Sequence, residues 1–158
     1  MGYTLRIGNA YMDFDKEYNY LKIDAEAKTL PNAPAFGEPT DNSNSRWPSY
    51  TAWHDFTKFA GLYDLFFNKE REDPECLLKE HPGYTVITKE HQKEINRLYK
   101  LFYIKYPNCK AGFSPNATDF ADDPNWPIEN SYAVRFEWLK FWIDWALENC
   151  EIPIFYNS

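Results

Sequence analysis

The pattern of apolar and polar residues is clearest near the C-terminus, where it follows the 3.6-residue period of an amphipathic helix. Between residues 134 and 150 the charged side chains share one narrow stripe, and aromatic or aliphatic side chains cover most of the remaining circumference. The stripe consists of Glu137, Lys140, Asp144 and Glu148. A helix with so wide an apolar face is expected at the centre of a fold. Asn130 or Ser131 is its predicted N-cap.

Arg135 interrupts the apolar side of this helix. Burying an unpaired guanidinium costs several kcal/mol, so the position predicts an anionic partner. One alternative is an internal carboxylate, and the other is a bound anion held by the planar fork of the side chain. Trp138 and Trp142 would then suit the stacking of a base or another flat ring. The candidate carboxylates are Asp119, Asp122 and Glu129.

Other segments carry the period or the end signals of helices. Residues 89–106 have the most regular amphipathic pattern, with Thr88 as N-cap and Pro107 as the stop. A helix is also predicted from Ser49 to Ala60, because Ser49 suits the N-cap and Gly61 suits the first position after the end. Residues 62–67 are predicted as a turn or a short helix, and Pro74 could start another short helix over residues 75–80.

The N-terminus instead alternates with the two-residue period of a strand. A strand is predicted over residues 3–7, with Gly8-Asn9 as a turn and a second strand within residues 18–27. The predicted class is therefore α+β, mainly α, with antiparallel helices around a central aromatic C-terminal helix and a small N-terminal β-hairpin. Residues 1–158 are predicted to form a single domain, with long surface loops near 31–48 and 108–128.

Composition narrows the classes of partner. The chain has 158 residues and 44% apolar content, which suits one domain with a sizeable core. Its net charge of -7 argues against direct binding of nucleic acid or of anionic membranes. The three cysteines show no metal or disulfide spacing, which indicates reduced thiols in a cytoplasm. Three scattered histidines add no zinc pattern, so no metal and no cofactor is expected.

Aromatic residues make up 19% of the chain and supply either core or a binding surface. Trp47 and Trp126 fall in the predicted loops, so they are candidate anchors for a protein partner. His91 lies on the inner side of the 89–106 helix, where it is either a general base or ligand contact, or a hydrogen-bonded core residue. His81 belongs to a Pro-Gly turn. The motifs of phosphate loops, nucleophile elbows and zinc proteases are absent from the sequence, so no catalytic residue is assigned.

Three stretches resemble small proteins encoded by bacteriophages and prophages. They are residues 4–8, the His81-Pro82-Gly83 turn with Thr88 and His91 downstream, and the C-terminal residues 137–142 and 149–158. The resemblance implies a protein of the infected host cytoplasm and an accessory role directed at host defence. It implies no established activity and no site residues.

The leading hypothesis is a non-enzymatic binding protein that captures a host protein, such as a defence protein. One alternative is sequestration of a small anionic or nucleotide ligand by Arg135, Trp138, Trp142 and His91. A second alternative is a hydrolytic enzyme with a histidine base.

Overall fold

A computed structural model describes residues 1–36, 39–114 and 124–158, in which a curled antiparallel sheet of five strands packs against four helices. The strands are β1 (Leu5–Asp15), β2 (Tyr20–Ala25), β3 (Ser45–Arg46), β4 (Gly83–Val86) and β5 (Pro153–Asn157). The helices are α1 (Tyr50–Phe59), α2 (Tyr63–Phe67), α3 (Lys89–Lys105) and α4 (Ile128–Asn149).

The long strand β1 organises the sheet. Its first part pairs with β5 over Leu5 to Asn9, and its second part pairs with β2 over Ala10 to Asp15. The strand order is β2-β1-β5-β4, and β3 also pairs with β1. The end strands β2 and β4 have Cα atoms within 8 Å of each other, whereas in a flat sheet they would lie about 14 Å apart. The sheet therefore curls into a half-barrel.

The prediction of a mainly α fold with a small hairpin is wrong, because the sheet is a full layer of the molecule. Besides the two-residue β3, the strands that the sequence did not predict are β4 and β5, with four and five residues. Such short segments show little alternation of their own. They form strands because they pair with each other and because β5 pairs with β1 at the opposite end of the chain.

The predicted turn at Gly8-Asn9 is also wrong, since both residues lie inside β1. A Cβ atom at Gly8 would lie 2.7 Å from the carbonyl oxygen of Glu26 and 3.1 Å from the amide nitrogen of Asn44. Glycine is required here by the close approach of neighbouring chain rather than by a change of direction. The segment predicted as a helix over residues 75–80 forms turns.

The helix predictions at 49–60, 62–67 and 89–106 are confirmed to within a few residues. Ser49 caps α1 by accepting a hydrogen bond from the backbone N–H of Ala52, and Thr88 caps α3. Helix α4 begins at Ile128, earlier than predicted, so Asn130 lies within it. The expectation that α4 is central is confirmed, because its core side chains have no exposed surface. They include Phe136, Trp138, Leu139, Trp142 and Ile143.

The two faces of the sheet have different surroundings. Leu5, Ile7 and Phe155 face the helices and belong to the main core with Trp53 and Trp138. On the concave face, Ala25, Ile154 and Tyr156 form a second, small apolar cluster. The curl of the sheet brings Ala25 on β2 close to Ile154 and Tyr156 on β5.

Arg46 gives the segment between residues 31 and 48 its structure. It is 5% exposed, and its two terminal nitrogens donate hydrogen bonds to backbone carbonyl groups at 2.7 to 3.4 Å. The guanidinium carbon also lies 5.5 Å from the ring centre of Trp138. Burial lowers the pKa of Arg46 to about 10, so the side chain remains charged at neutral pH. The carbonyl groups belong to Pro34, Phe36, Asp41, Ser43 and Ser45.

Candidate binding surface

The hairpin of β1 and β2 begins where the pairing of β1 with β5 ends, and we call residues 10–25 the arm. The pairing of β1 with β5 ends at Asn9, and from Ala10 onward β1 pairs with β2. At the tip, the carboxylate of Asp15 accepts hydrogen bonds from the backbone N–H groups of Glu17 and Tyr18 at 3.0 and 3.1 Å. Asn19 adopts φ 53°, a left-handed conformation that asparagine tolerates. Local polar contacts therefore shape the turn of the arm.

One face of the arm is apolar and exposed. Met12 lies opposite Ile23, and Phe14 lies opposite Leu21. Because side chains alternate along a strand, these four share one face. Met12, Phe14 and Leu21 are 66%, 48% and 59% exposed. Cross-strand apolar pairs of this kind normally face a core, so their exposure marks a surface for contact.

The apolar face of the arm continues into the concave face of the half-barrel. Ala10 and Ile23 pack against the small cluster that contains Ile154 and Tyr156. One continuous apolar strip therefore runs from buried side chains in the closed part of the sheet to exposed side chains on the arm. The buried base anchors the strip, and the exposed part can meet a partner without rearrangement of the fold.

The opposite face and the tip of the arm are polar and acidic. Asp13 and Lys22 are paired across the strands, as are Tyr11 and Asp24. Across residues 10–25, acidic residues outnumber basic residues by four to two. This charge favours a partner segment that combines apolar and basic side chains.

The half-barrel leaves β2 and β4 as its two end strands, without a further ladder partner among the described residues. Between these two strands lies a cavity of about 350 Å³, whose lining includes Tyr20, Lys22 and Tyr156. Because Cα atoms of β2 and β4 approach within 8 Å, the gap is narrower than the two strand spacings that an added strand would need.

Arg135, the predicted anion receptor, is half-buried at the edge of a different cavity. This cavity has a volume of about 430 Å³, and its lining includes Trp126, Tyr132 and Asp55. Arg135 is already engaged by interactions within the chain, so it is not a free cation. Asp119 and Asp122, two of its predicted partners, lie outside the described residues.

Trp138 and Trp142, the rings predicted to stack on a ligand, are fully buried. The indole N–H of Trp138 donates to the carbonyl oxygen of Ser43 at 3.1 Å. Trp138 and Arg135 do share a cavity, but its volume is about 20 Å³, which is room for one water molecule. The structure therefore places both tryptophans as core residues, next to Trp53 and Trp145 respectively.

The two predicted protein-binding tryptophans have different surroundings. Trp47 is 55% exposed and follows β3 directly. Trp126 is half-buried, and its indole N–H donates to the carbonyl oxygen of Gly112 at 3.2 Å. Of the two, Trp47 is the side chain with surface available for a partner.

His91 lies inside the protein with both ring nitrogens hydrogen-bonded. Nδ1 accepts from the backbone N–H of Thr88 at 3.0 Å, so Nε2 carries the proton and donates to the carbonyl oxygen of Glu75 at 2.7 Å. The ring thereby joins the start of α3 to the chain before β4. Burial is the main cause that lowers the pKa of His91, so the neutral ring is favoured in the folded protein.

The buried neutral His91 predicts a loss of stability in mild acid. Below about pH 6.5 the unfolded chain takes up a proton at this residue more readily than the folded protein does, because the pKa of the buried ring is lowered. The free energy of unfolding should fall as the pH is lowered from 7 to 5, with a contribution from His91 of at most about 1.4 kcal/mol per pH unit. Urea unfolding at several pH values measures the slope. The His91→Gln variant should have a shallower slope than the parent, and an equal slope would contradict this role.

The exposed apolar face of the arm was missed from the sequence. The sequence contains a signal for it, since the apolar residues Met12 and Phe14 alternate with Asp13 and Asp15 in the two-residue period of a strand. The predicted turn at Gly8-Asn9 ended the strand too early, which concealed the pairing with Leu21 and Ile23.

Metal-binding groups and membrane-spanning helices are not found among the described residues. Within residues 1–36, 39–114 and 124–158, no group of three or more His, Cys, Asp or Glu side chains is placed to hold a metal ion. Among the helices of this part of the chain, none has the length and apolar character needed to cross a membrane. In comparisons with protein-family models, curated proteins and solved structures, this chain has no match.

Proposed function

We propose that this chain is a binding protein that captures another protein through the arm. The observation that carries the proposal is the row of exposed apolar side chains at Met12, Phe14 and Leu21, which is anchored by a buried base. Apolar side chains that a β-hairpin exposes to water are unfavourably hydrated, and a partner that covers them removes this cost. The arm thus supplies both the driving force and a defined geometry for association.

The chemistry of the arm suits a partner that presents an extended segment with apolar residues on one face and basic residues beside them. The apolar residues would cover Phe14 and Leu21, and the basic residues would lie beside the acidic face of the arm. Because the sequence resembles small bacteriophage proteins, we propose that the partner is a host protein, such as a defence protein.

Serine substitution of Phe14 and Leu21 together is expected to weaken capture of the partner by at least about 100-fold. The side chains are exposed in the free protein, so the thermal unfolding midpoint should change little. The experiment compares the proteins that the parent and the double variant retain when each is expressed in the host, followed by titration of the retained partner.

The matched control is the double variant Leu101→Ser with Ile104→Ser on α3, whose side chains are 48% and 73% exposed. It removes a similar apolar surface at another place and should bind the partner as the parent does. The proposal is wrong if the arm variant and the α3 variant retain the same partner with the same affinity.

A further inference from the structure

A cluster of polar groups, separate from the arm, lies where the N-terminus, α1, the chain before β4, and β5 meet. The hydroxyl of Tyr50 lies 3.1 Å from Nε2 of His81, and Nδ1 of the same ring lies 2.6 Å from Oδ1 of Asn157. Tyr50 is the first residue of α1, and Asn157 is the last residue of β5. Three residues far apart in the sequence therefore form one hydrogen-bonded row.

The direction of the hydrogen bonds in this row is set by Asn157. Its side chain is 1% exposed, and its amide nitrogen donates to the carbonyl oxygen of Gly83 at 3.2 Å. The amide oxygen therefore faces His81 and accepts from Nδ1–H. In the neutral ring Nε2 then has a free lone pair, which accepts a hydrogen bond from the Tyr50 hydroxyl.

The arrangement has the geometry of an activated nucleophile. A hydroxyl within 2.6 to 3.2 Å of a base, with that base oriented by a third group, is the diagnostic pattern. Tyr50 is half-buried and His81 is exposed, so a reactant can reach the hydroxyl from solvent.

Tyr3 packs against this row and holds it in place. Its ring centre lies 4.6 Å from that of Tyr50 and 5.2 Å from that of His81, with both contacts edge to face. The hydroxyl of Tyr3 lies 3.1 Å from Nε2 of His54, whose ring stacks on Phe67 at 4.1 Å. Burial, followed by the neighbouring Tyr50 and Tyr63, raises the pKa of Tyr3, which keeps this hydroxyl protonated.

The geometry points to Tyr50 as a nucleophile that His81 activates and that accepts an acyl group from a carboxylic ester. The oxygen of Tyr50 forms a bond to the carbonyl carbon, and its proton passes to Nε2 of His81. The bond from that carbon to the leaving oxygen breaks, and the leaving oxygen takes the proton from Nε2. The ring contacts of Tyr50 are with the aromatic rings of Tyr3 and His81, which suit a neutral ester as reactant.

The probe is p-nitrophenyl acetate, which reports the leaving group by absorbance and the acetyl group by mass spectrometry of peptides. Tyr50 of the parent protein should be acetylated at least about 10-fold faster than Tyr84, an exposed tyrosine on β4. His81→Gln should slow acetylation of Tyr50 by about 100-fold or more. Tyr50→Phe should abolish the label, and Tyr84→Phe should leave acetylation of Tyr50 unchanged.

Thermal unfolding of each variant shows whether it is folded. The comparison of Tyr50 with Tyr84 within the parent protein needs no substitution, so it stands even if a variant fails to fold. Equal acetylation of the two tyrosines would overturn the inference. Acetylation of Tyr50 at the parent rate in folded His81→Gln would overturn it as well.

Discussion

Replacing Arg46 with methionine is expected to lower the free energy of unfolding by about 3–5 kcal/mol. Methionine keeps much of the volume, so the loss comes from hydrogen bonds rather than from a large cavity. Five backbone carbonyl groups, from Pro34, Phe36, Asp41, Ser43 and Ser45, would lose a charged donor. The ring of Trp138 would also lose its contact with the cation.

Urea unfolding of the parent and variant measures the effect. Arg46→Lys should fall between them, because it keeps the charge and loses the planar fork that reaches several carbonyl groups. Arg97→Met is the matched control, since Arg97 is exposed and pairs with Glu94 on the surface of α3; its effect should stay below about 1 kcal/mol. Equal stability of the Arg46 and Arg97 variants would show that the buried guanidinium does not hold the loop.

Asn44→Asp is expected to destabilise the protein by about 3 kcal/mol or more, although the side chains have nearly the same shape. The amide nitrogen of Asn44 donates to the carbonyl oxygens of Ile7 and Glu26, both at 2.7 Å. The amide oxygen accepts from the backbone N–H of Lys28 at 2.9 Å. Asn44 is fully buried, so a carboxylate would place a second oxygen against two carbonyl groups without water to separate them.

This substitution also tests how the arm is anchored, because Asn44 joins β1 to the chain that follows β2. Hydrogen exchange at the backbone amides of residues 5–9 and 23–28 should become faster in the variant. Lowering the pH to about 4 should reduce the stability difference from the parent at the same pH, since a protonated carboxyl regains one donor. Asn108→Asp at an exposed position is the control. If Asn44→Asp lowers the free energy of unfolding by no more than this control does, the proposed role of Asn44 is contradicted.

The helices were predictable because their signals are local. The period of α3, the cap at Thr88 and the stop at Pro107 lie within one segment, and the structure agrees with them. The apolar face of α4 likewise predicted its central position. These features depend on side chains three or four residues apart, which any reader of the sequence can compare.

The candidate sites were less predictable because each depends on distant neighbours. The sequence drew attention to Arg135, whereas the structure buries Arg46, whose surroundings in a Pro- and Asn-rich stretch predicted an exposed loop. Tyr50, His81 and Asn157 carry no spacing that links them, and they meet only because β5 pairs with β4. Side chains that meet through long-range pairing leave no local pattern.

The sequence by itself determined α1 to α4 and the apolar content that fills the core, since local periodicity and capping encode them. Tertiary structure decided that β1 crosses the predicted turn and joins a five-stranded half-barrel, because β1, β4 and β5 acquire their hydrogen bonds from one another. It also decided which face of the arm is exposed and which partners each histidine acquires. Those outcomes depend on packing and strand register between distant segments.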